Sequence, residues 1–132
     1  MAQILVIEDN PADVDLLRRA FLEHGMTGQI VAIEDGELAL QFLEGLRAKP
    51  DIGLVILDLN IPRLDGIEVL SRFRAHPLMA HVPVVVFTSS GSPAEKNRAM
   101  TLGVEAYLRK PMELDGYMAV GAAFRDILAR TQ

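Results

Sequence analysis

The sequence predicts a doubly wound α/β domain, one five-stranded parallel sheet with helices on both faces. Three observations predict it. Short β-branched runs recur along the chain and alternate with longer segments of helical period. At least three of these runs are apolar at every position, as strands buried on both faces should be. The length of 132 residues, half of them hydrophobic and 23% charged, fits one globular domain.

The elements follow in order. The strand runs fall at residues 4–7, 30–33, 54–57, 84–87 and 106–108. Helical patterns lie between and after them, near 11–24, 37–46, 66–75, 93–102 and 114–130. The first helix is well marked: Asn10 can cap it, Pro11 suits its first turn and Gly25 follows its end. Its stripe of Val14, Leu17, Ala20 and Phe21 keeps the 3–4 spacing. The last helix carries a core stripe of Leu114, Met118, Gly121, Phe124 and Leu128, which Val120, Ala123 and Ile127 widen. Strand–helix alternation implies right-handed crossovers, most simply with strand order 2-1-3-4-5. In such sheets ligands bind beyond the carboxyl ends of the strands, where strand order reverses.

Composition narrows the function. There are no cysteines, which excludes disulfides, zinc–thiolate sites and a thiol nucleophile. A net charge of −5 is a poor footprint for nucleic acid or an anionic membrane. The apolar runs fall far short of a membrane span, and Met1 leads into a strand without a basic segment, so no signal peptide is expected and the cytoplasm is the expected compartment. His24, His76 and His81 show no metal-ligand spacing and read as surface residues.

Chemistry gathers at the strand ends. The first strand ends in Glu8 and Asp9, the third in Asp58, the fourth in Thr88 and the fifth in Arg109 and Lys110. Each of these residues alone is an ordinary cap, turn former or solvated side chain. Together, at the carboxyl ends of separate strands, they form one pocket. Three carboxylates repel one another by roughly 4 kcal/mol per pair at ~4 Å and an effective dielectric near ~20. Lys110 offsets one charge, and a hard divalent cation with oxygen ligands is the natural complement.

The spacing closely resembles the receiver domains of two-component response regulators. Asp9, Asp58, Thr88 and Lys110 stand 49, 30 and 22 residues apart. The flanking motifs ILVIEDN at 4–10, LDLNIPRLDG at 57–66 and YLRKP at 107–111 agree, and the resemblance covers the whole chain. It implies a flavodoxin-like fold and a single receiver domain over residues 1–132, with no output domain after the last helix. Asp58 would accept a phosphoryl group from a phosphohistidine on a sensor histidine kinase. Asp9, Asp58 and the backbone carbonyl of Asn60 would ligate Mg²⁺ or Mn²⁺, with Glu8, longer than the commoner Asp, acting through water. Lys110 and Thr88 would contact the phosphoryl oxygens, as would the N–H of Ser89. Thr88 and Tyr107 would form the switch, and the Lys110–Pro111 bond would be cis.

The resemblance also implies signalling through the face built by the fourth helix, fifth strand and fifth helix. The wide apolar arc of the last helix reads either as a broad core stripe on a deeply docked helix or as part of a partner surface; with the resemblance added, a homodimer is expected there, with Val120 and Ile127 near its centre. The Glu8–Asp13 opening and the extended connection from Ala75 to Val82 look like the small regulators paired with phytochrome-type kinases. Two rivals fit poorly. A haloacid-dehalogenase-type phosphatase needs D-x-D after its first strand, whereas Asp58-Leu59-Asn60 follows the third and lacks the second Asp. A flavin or nucleotide carrier needs a phosphate-binding loop, and residues 8–13 are acidic instead.

Overall fold

Residues 2–26 and 30–131 are described by a computed structural model. Met1 and Gln132, on which the reading of the chain ends rests, lie outside the described residues. The elements are β1 (Gln3–Ile7), α1 (Pro11–Glu23), β2 (Ile30–Ile33), α2 (Gly36–Glu44) and β3 (Ile52–Leu57). They continue as α3 (Gly66–Ala75), β4 (Val84–Thr88), α4 (Pro93–Thr101), β5 (Ala106–Arg109) and α5 (Leu114–Thr131). All strands pair in parallel, in the order β2-β1-β3-β4-β5. The doubly wound, flavodoxin-like architecture and its strand order are as the sequence predicts.

Burial follows position in the sheet. All of β3 and β4 and the last four residues of β1 are buried, which explains their unbroken apolar runs. The edge strands β2 and β5 are only half-buried. Side-chain caps start the helices: Asn10, Asp35, Asp65 and Ser92 accept from the backbone N–H groups of Ala12, Leu38, Ile67 and Glu95.

Two cores form, one on each face of the sheet. On one face α2, α3 and α4 bring Ala39, Leu43, Leu70, Phe73 and Ala99 onto Leu5, Ile7, Val55 and Leu57. On the other, α1 and α5 cover Ile4, Val6, Leu54, Ile56 and Phe87. Phe124 meets Phe21 and Phe87 edge-on, with ring centres 5.7 and 5.5 Å apart. Gly121 permits this approach, because a Cβ there would lie 2.9 Å from the Ala20 carbonyl oxygen of α1. His24 is half-buried rather than a plain surface residue, its Nε2–H donating to the Met118 carbonyl at 2.6 Å.

The inward stripe of α5 differs from the sequence expectation. Leu114 opens the helix ahead of the first buried turn and is 48% exposed, while Tyr117 takes the core position. Ile127, expected at the centre of an exposed dimer face, is 5% exposed and packs into the α1–α5 core. Val120 is half-buried against the same core. The wide apolar arc reflects deep docking of α5, which buries positions on both flanks of the stripe. Among the described residues, no helix is long and apolar enough to cross a membrane.

Candidate functional site

Sheet register assembles the site. Ile7 lies opposite Leu57, and the Asp58 N–H donates to the Ile7 carbonyl at 3.0 Å, so Glu8 and Asp58 emerge side by side. Thr88 pairs with Arg109, and the Lys110 N–H donates to the Thr88 carbonyl at 2.9 Å. The β3–α3 loop then folds back over Leu59. Gly66 is required there, because a Cβ would collide with the Leu59 backbone. Arg63 turns this loop in the left-handed region at φ 74° and reaches Asp35 and Glu37 at 3.8 Å.

Glu8, Asp58 and Thr88 are buried, whereas Asp9, Asn60 and Ser89 are exposed at the rim. Lys110 lies at the centre. Its ammonium is 2.6 Å from Glu8 Oε2, 2.7 Å from Asp58 Oδ2 and 2.8 Å from Asp13 Oδ2. The remaining oxygens of the buried pair take backbone donors: Asn10 N–H to Glu8 Oε1 at 3.0 Å and Asn60 N–H to Asp58 Oδ1 at 2.9 Å. A cavity of about 410 Å³ opens above them, lined in part by Asp9, Asn60, Ser89 and Met112. The Lys110–Pro111 peptide is trans, not the cis bond the resemblance implies. Three carboxylates draw the lysine inward from this trans backbone.

The charges settle unequally. Burial, with neighbouring Asp58 adding to it, pushes the Glu8 carboxyl up to about 8 against the pull of Lys110, so the metal-free site keeps a proton there at neutral pH. Burial also opposes ionisation of Asp58. The hydrogen bonds from Lys110, the Asn60 N–H and protonated Glu8 outweigh it and hold Asp58 below the usual carboxylate range. Burial likewise disfavours the Lys110 ammonium, but Asp13, Asp58 and Glu8 together raise it above its ordinary value. A proton and one lysine therefore balance the crowding of carboxylates.

Glu8, Asp9 and Asp58 each offer an oxygen, and these oxygens lie within 4.8 Å of one another. An all-oxygen donor set with one arm open to solvent suits a hard divalent cation that keeps several waters. The residues present fit a divalent metal.

Thr88 and Tyr107 meet at Ser90. The Ser90 N–H donates to Thr88 Oγ1 at 3.3 Å, and the half-buried Tyr107 hydroxyl reaches the Ser90 carbonyl at 3.4 Å. Arg109 reaches the neighbouring Ser89 carbonyl at 3.2 Å. Sequence reasoning missed Asp13 and Tyr117. The Tyr117 hydroxyl donates to Asp13 Oδ1 at 3.2 Å, across α5 and α1. Asp13 falls in the first turn of a capped helix, where an acid is unremarkable, and Tyr117 lies off the expected stripe. Only the proximity of both to Lys110 marks them.

An acidic oxygen cluster and a lysine at the switch point of a five-stranded doubly wound sheet define a small α/β domain with a cation-binding pocket where such sheets take their ligands. Residues 4–120 match the response regulator receiver domain family, and the chain belongs to it. It is 40% identical over 116 residues to the probable methanogenesis regulatory protein FilR2 of Methanothrix harundinacea, covering 85% of this chain and 74% of that one. The fold matches the crystal structure of the phosphorylated cyanobacterial phytochrome response regulator RcpA with a TM-score of 0.87. That match has 27% identity and covers 99% of this chain and 96% of RcpA. The Mn²⁺-bound form of response regulator Rcp1 matches with a TM-score of 0.84 and 28% identity, over 96% and 93% of the two chains.

Proposed function

We propose that residues 1–132 form a single receiver domain in which Asp58 accepts a phosphoryl group from a phosphohistidine on a sensor histidine kinase. The observation that carries this reading is a buried Asp58 held ionised at the floor of an open cavity, with Lys110 2.7 Å from Oδ2. An Asp58 oxygen attacks phosphorus, the new P–O bond forms as the P–N bond breaks, and the departing imidazole takes up a proton. Positioning and charge neutralisation supply most of the catalysis such a transfer needs.

Lys110 meets the negative charge on the phosphoryl oxygens. Thr88 donates its hydroxyl to the same group, and the Ser89 N–H provides a further donor at the rim. Asp9, Asp58 and the Asn60 carbonyl, with Glu8 acting through water, would hold Mg²⁺ or Mn²⁺, which would supply neutralisation of phosphoryl charge. The Mn²⁺-bound form of Rcp1 supports this choice of ion. Thr88 and Tyr107, already joined through Ser90, form the switch. Asn60 and Ser90 flank the path of a hydrolytic water and set the phosphoryl lifetime. On this reading the chain is a phosphoacceptor signalling protein that assists its own phosphorylation and dephosphorylation, and it works in the cytoplasm.

The partner kinase is proposed to be of the phytochrome type, supported by likeness to the phytochrome response regulator RcpA. The test is incubation with Mg²⁺ and acetyl phosphate, followed by mass measurement of the intact protein. One acid-stable, base-labile phosphoryl group is expected on the wild type and none on Asp58→Asn, a nearly isosteric change. Continued phosphorylation of the variant on the same peptide would sink the assignment.

A further inference from the structure

Resting on the phosphoacceptor reading, we propose that Asp13 is a positioning residue that holds the Lys110 ammonium from α1 and relays its position to α5 through the Tyr117 hydroxyl. The argument begins with donor count. An ammonium has three N–H groups, and in Lys110 they face the oxygens of three carboxyl groups, those of Glu8, Asp13 and Asp58. No donor is spare. A phosphoryl group on Asp58 sets new anionic oxygens beside Oδ2, and Lys110 must turn to reach them. Glu8 and Asp58 belong to the metal-facing cluster, so Asp13 is the partner that stays outside it.

Asp13 cannot follow that turn silently. Its Oδ2 holds Lys110 at 2.8 Å while its Oδ1 holds the Tyr117 hydroxyl at 3.2 Å. Tyr117 is 3% exposed, and its ring meets Phe87 edge-on, with centres 5.7 Å apart and planes at 88°. Phe87 precedes Thr88 in the chain and packs on Phe124 in turn. Movement of the ammonium therefore reaches the first turns of α5 by a chain of contacts separate from the one joining Thr88, Ser90 and Tyr107. An acid in a helix's first turn ordinarily serves the helix dipole. That role would not need both carboxylate oxygens bound to partners 97 and 104 residues away.

The experiment uses beryllium fluoride with Mg²⁺ as a phosphoryl stand-in and follows amide signals by NMR in the wild type, Asp13→Asn and Tyr117→Phe. In the wild type, signals of both Ser89 and the Tyr117–Met118 turn are expected to move. In either variant the α5 displacement, divided by that of Ser89, is expected to fall by roughly threefold or more, as coupling through one shared contact requires. The protected ammonium signal of Lys110 is expected to broaden in Asp13→Asn, a change that simple loosening of α1 would not produce. Tyr117→Phe keeps the ring against Phe87 and carries the test if Asp13→Asn folds poorly. An unchanged displacement ratio in a folded variant overturns the relay while leaving the phosphoacceptor reading intact. A wild type in which Ser89 itself does not respond overturns both.

Discussion

The two sides of the sheet meet the site differently. On one side α1 and α5 pack Val14, Leu17, Phe21, Phe124, Ile127 and Leu128 into a continuous core, and Asp13 and Tyr117 extend it to Lys110. On the other side α4 buries only Ala99, and the loop before it is held by hydrogen bonds at Ser89 and Ser90 with little apolar packing behind them. One side fixes charges in place. The other carries Thr88 and Tyr107 under a lightly packed helix, and the opening free energy of such a segment lies at the low end of the range within a domain.

The largest expected break in this contrast comes from the cores themselves. Phe124→Ala should cost about 3–5 kcal/mol, because the ring is fully buried between Phe21 and Phe87. Met100→Ala on α4 should change stability by less than about 0.5 kcal/mol, since that side chain is 48% exposed. Urea unfolding of both variants measures the difference. Hydrogen exchange should agree, with α4 amides exchanging well before those in the middle of α5. Equal protection of the two helices would remove the distinction.

Much of this was legible in the sequence because it depends on short-range pattern. Unbroken apolar runs marked β1, β3 and β4, and the topology rule for parallel sheets then placed Asp9, Asp58, Thr88 and Lys110 at one edge. Asp13 and Tyr117 were not legible, because their contact exists only through packing of α1 on α5. The docking depth of α5 was hidden for the same reason: an apolar arc has the same sequence whether its flank is covered or open. Edge strand β2 read as apolar throughout, yet Ala32 is exposed. Hydrophobicity records what a strand tolerates, not whether a neighbour lies beyond it.

A smaller effect, the response to pH, should map to the charged floor and not to the flank. Glu8 has its folded value pushed up to about 8 by burial, from an ordinary 4.5. Across that window the folded protein keeps a proton that the unfolded chain releases, so metal-free stability falls as pH rises from about 4.5 to about 8. Asp58 is shifted down, so its contribution is present above 3.8 and is lost only as pH falls below that. A divalent ion selects the deprotonated Glu8, so affinity for Mn²⁺ should climb through the same window and reduce the slope. Glu8→Gln should flatten the metal-free slope. Thr88→Ala, on the α4 side, should lower stability without altering it. Thermal melts in EDTA and in Mn²⁺ across this range decide the point, and an unchanged slope in Glu8→Gln would assign the titration elsewhere.

The smallest expected effect concerns self-association through α4, β5 and α5. We propose a weak homodimer on this face, but its composition must differ from an apolar strip centred on Ile127. That side chain is spent on the α1–α5 core, so Ile127→Glu would bury a charge and unfold the protein rather than dissociate it. Val120 is half-buried and keeps part of its surface available, so Val120→Glu is the informative change. A single half-buried valine contributes little apolar area, and a modest rise in dissociation constant is expected, of roughly tenfold or about 1.4 kcal/mol. Sedimentation of wild type and Val120→Glu, each with and without beryllium fluoride, measures it. A wild type that stays monomeric in both conditions removes the dimer and leaves the lightly packed flank for a different protein partner.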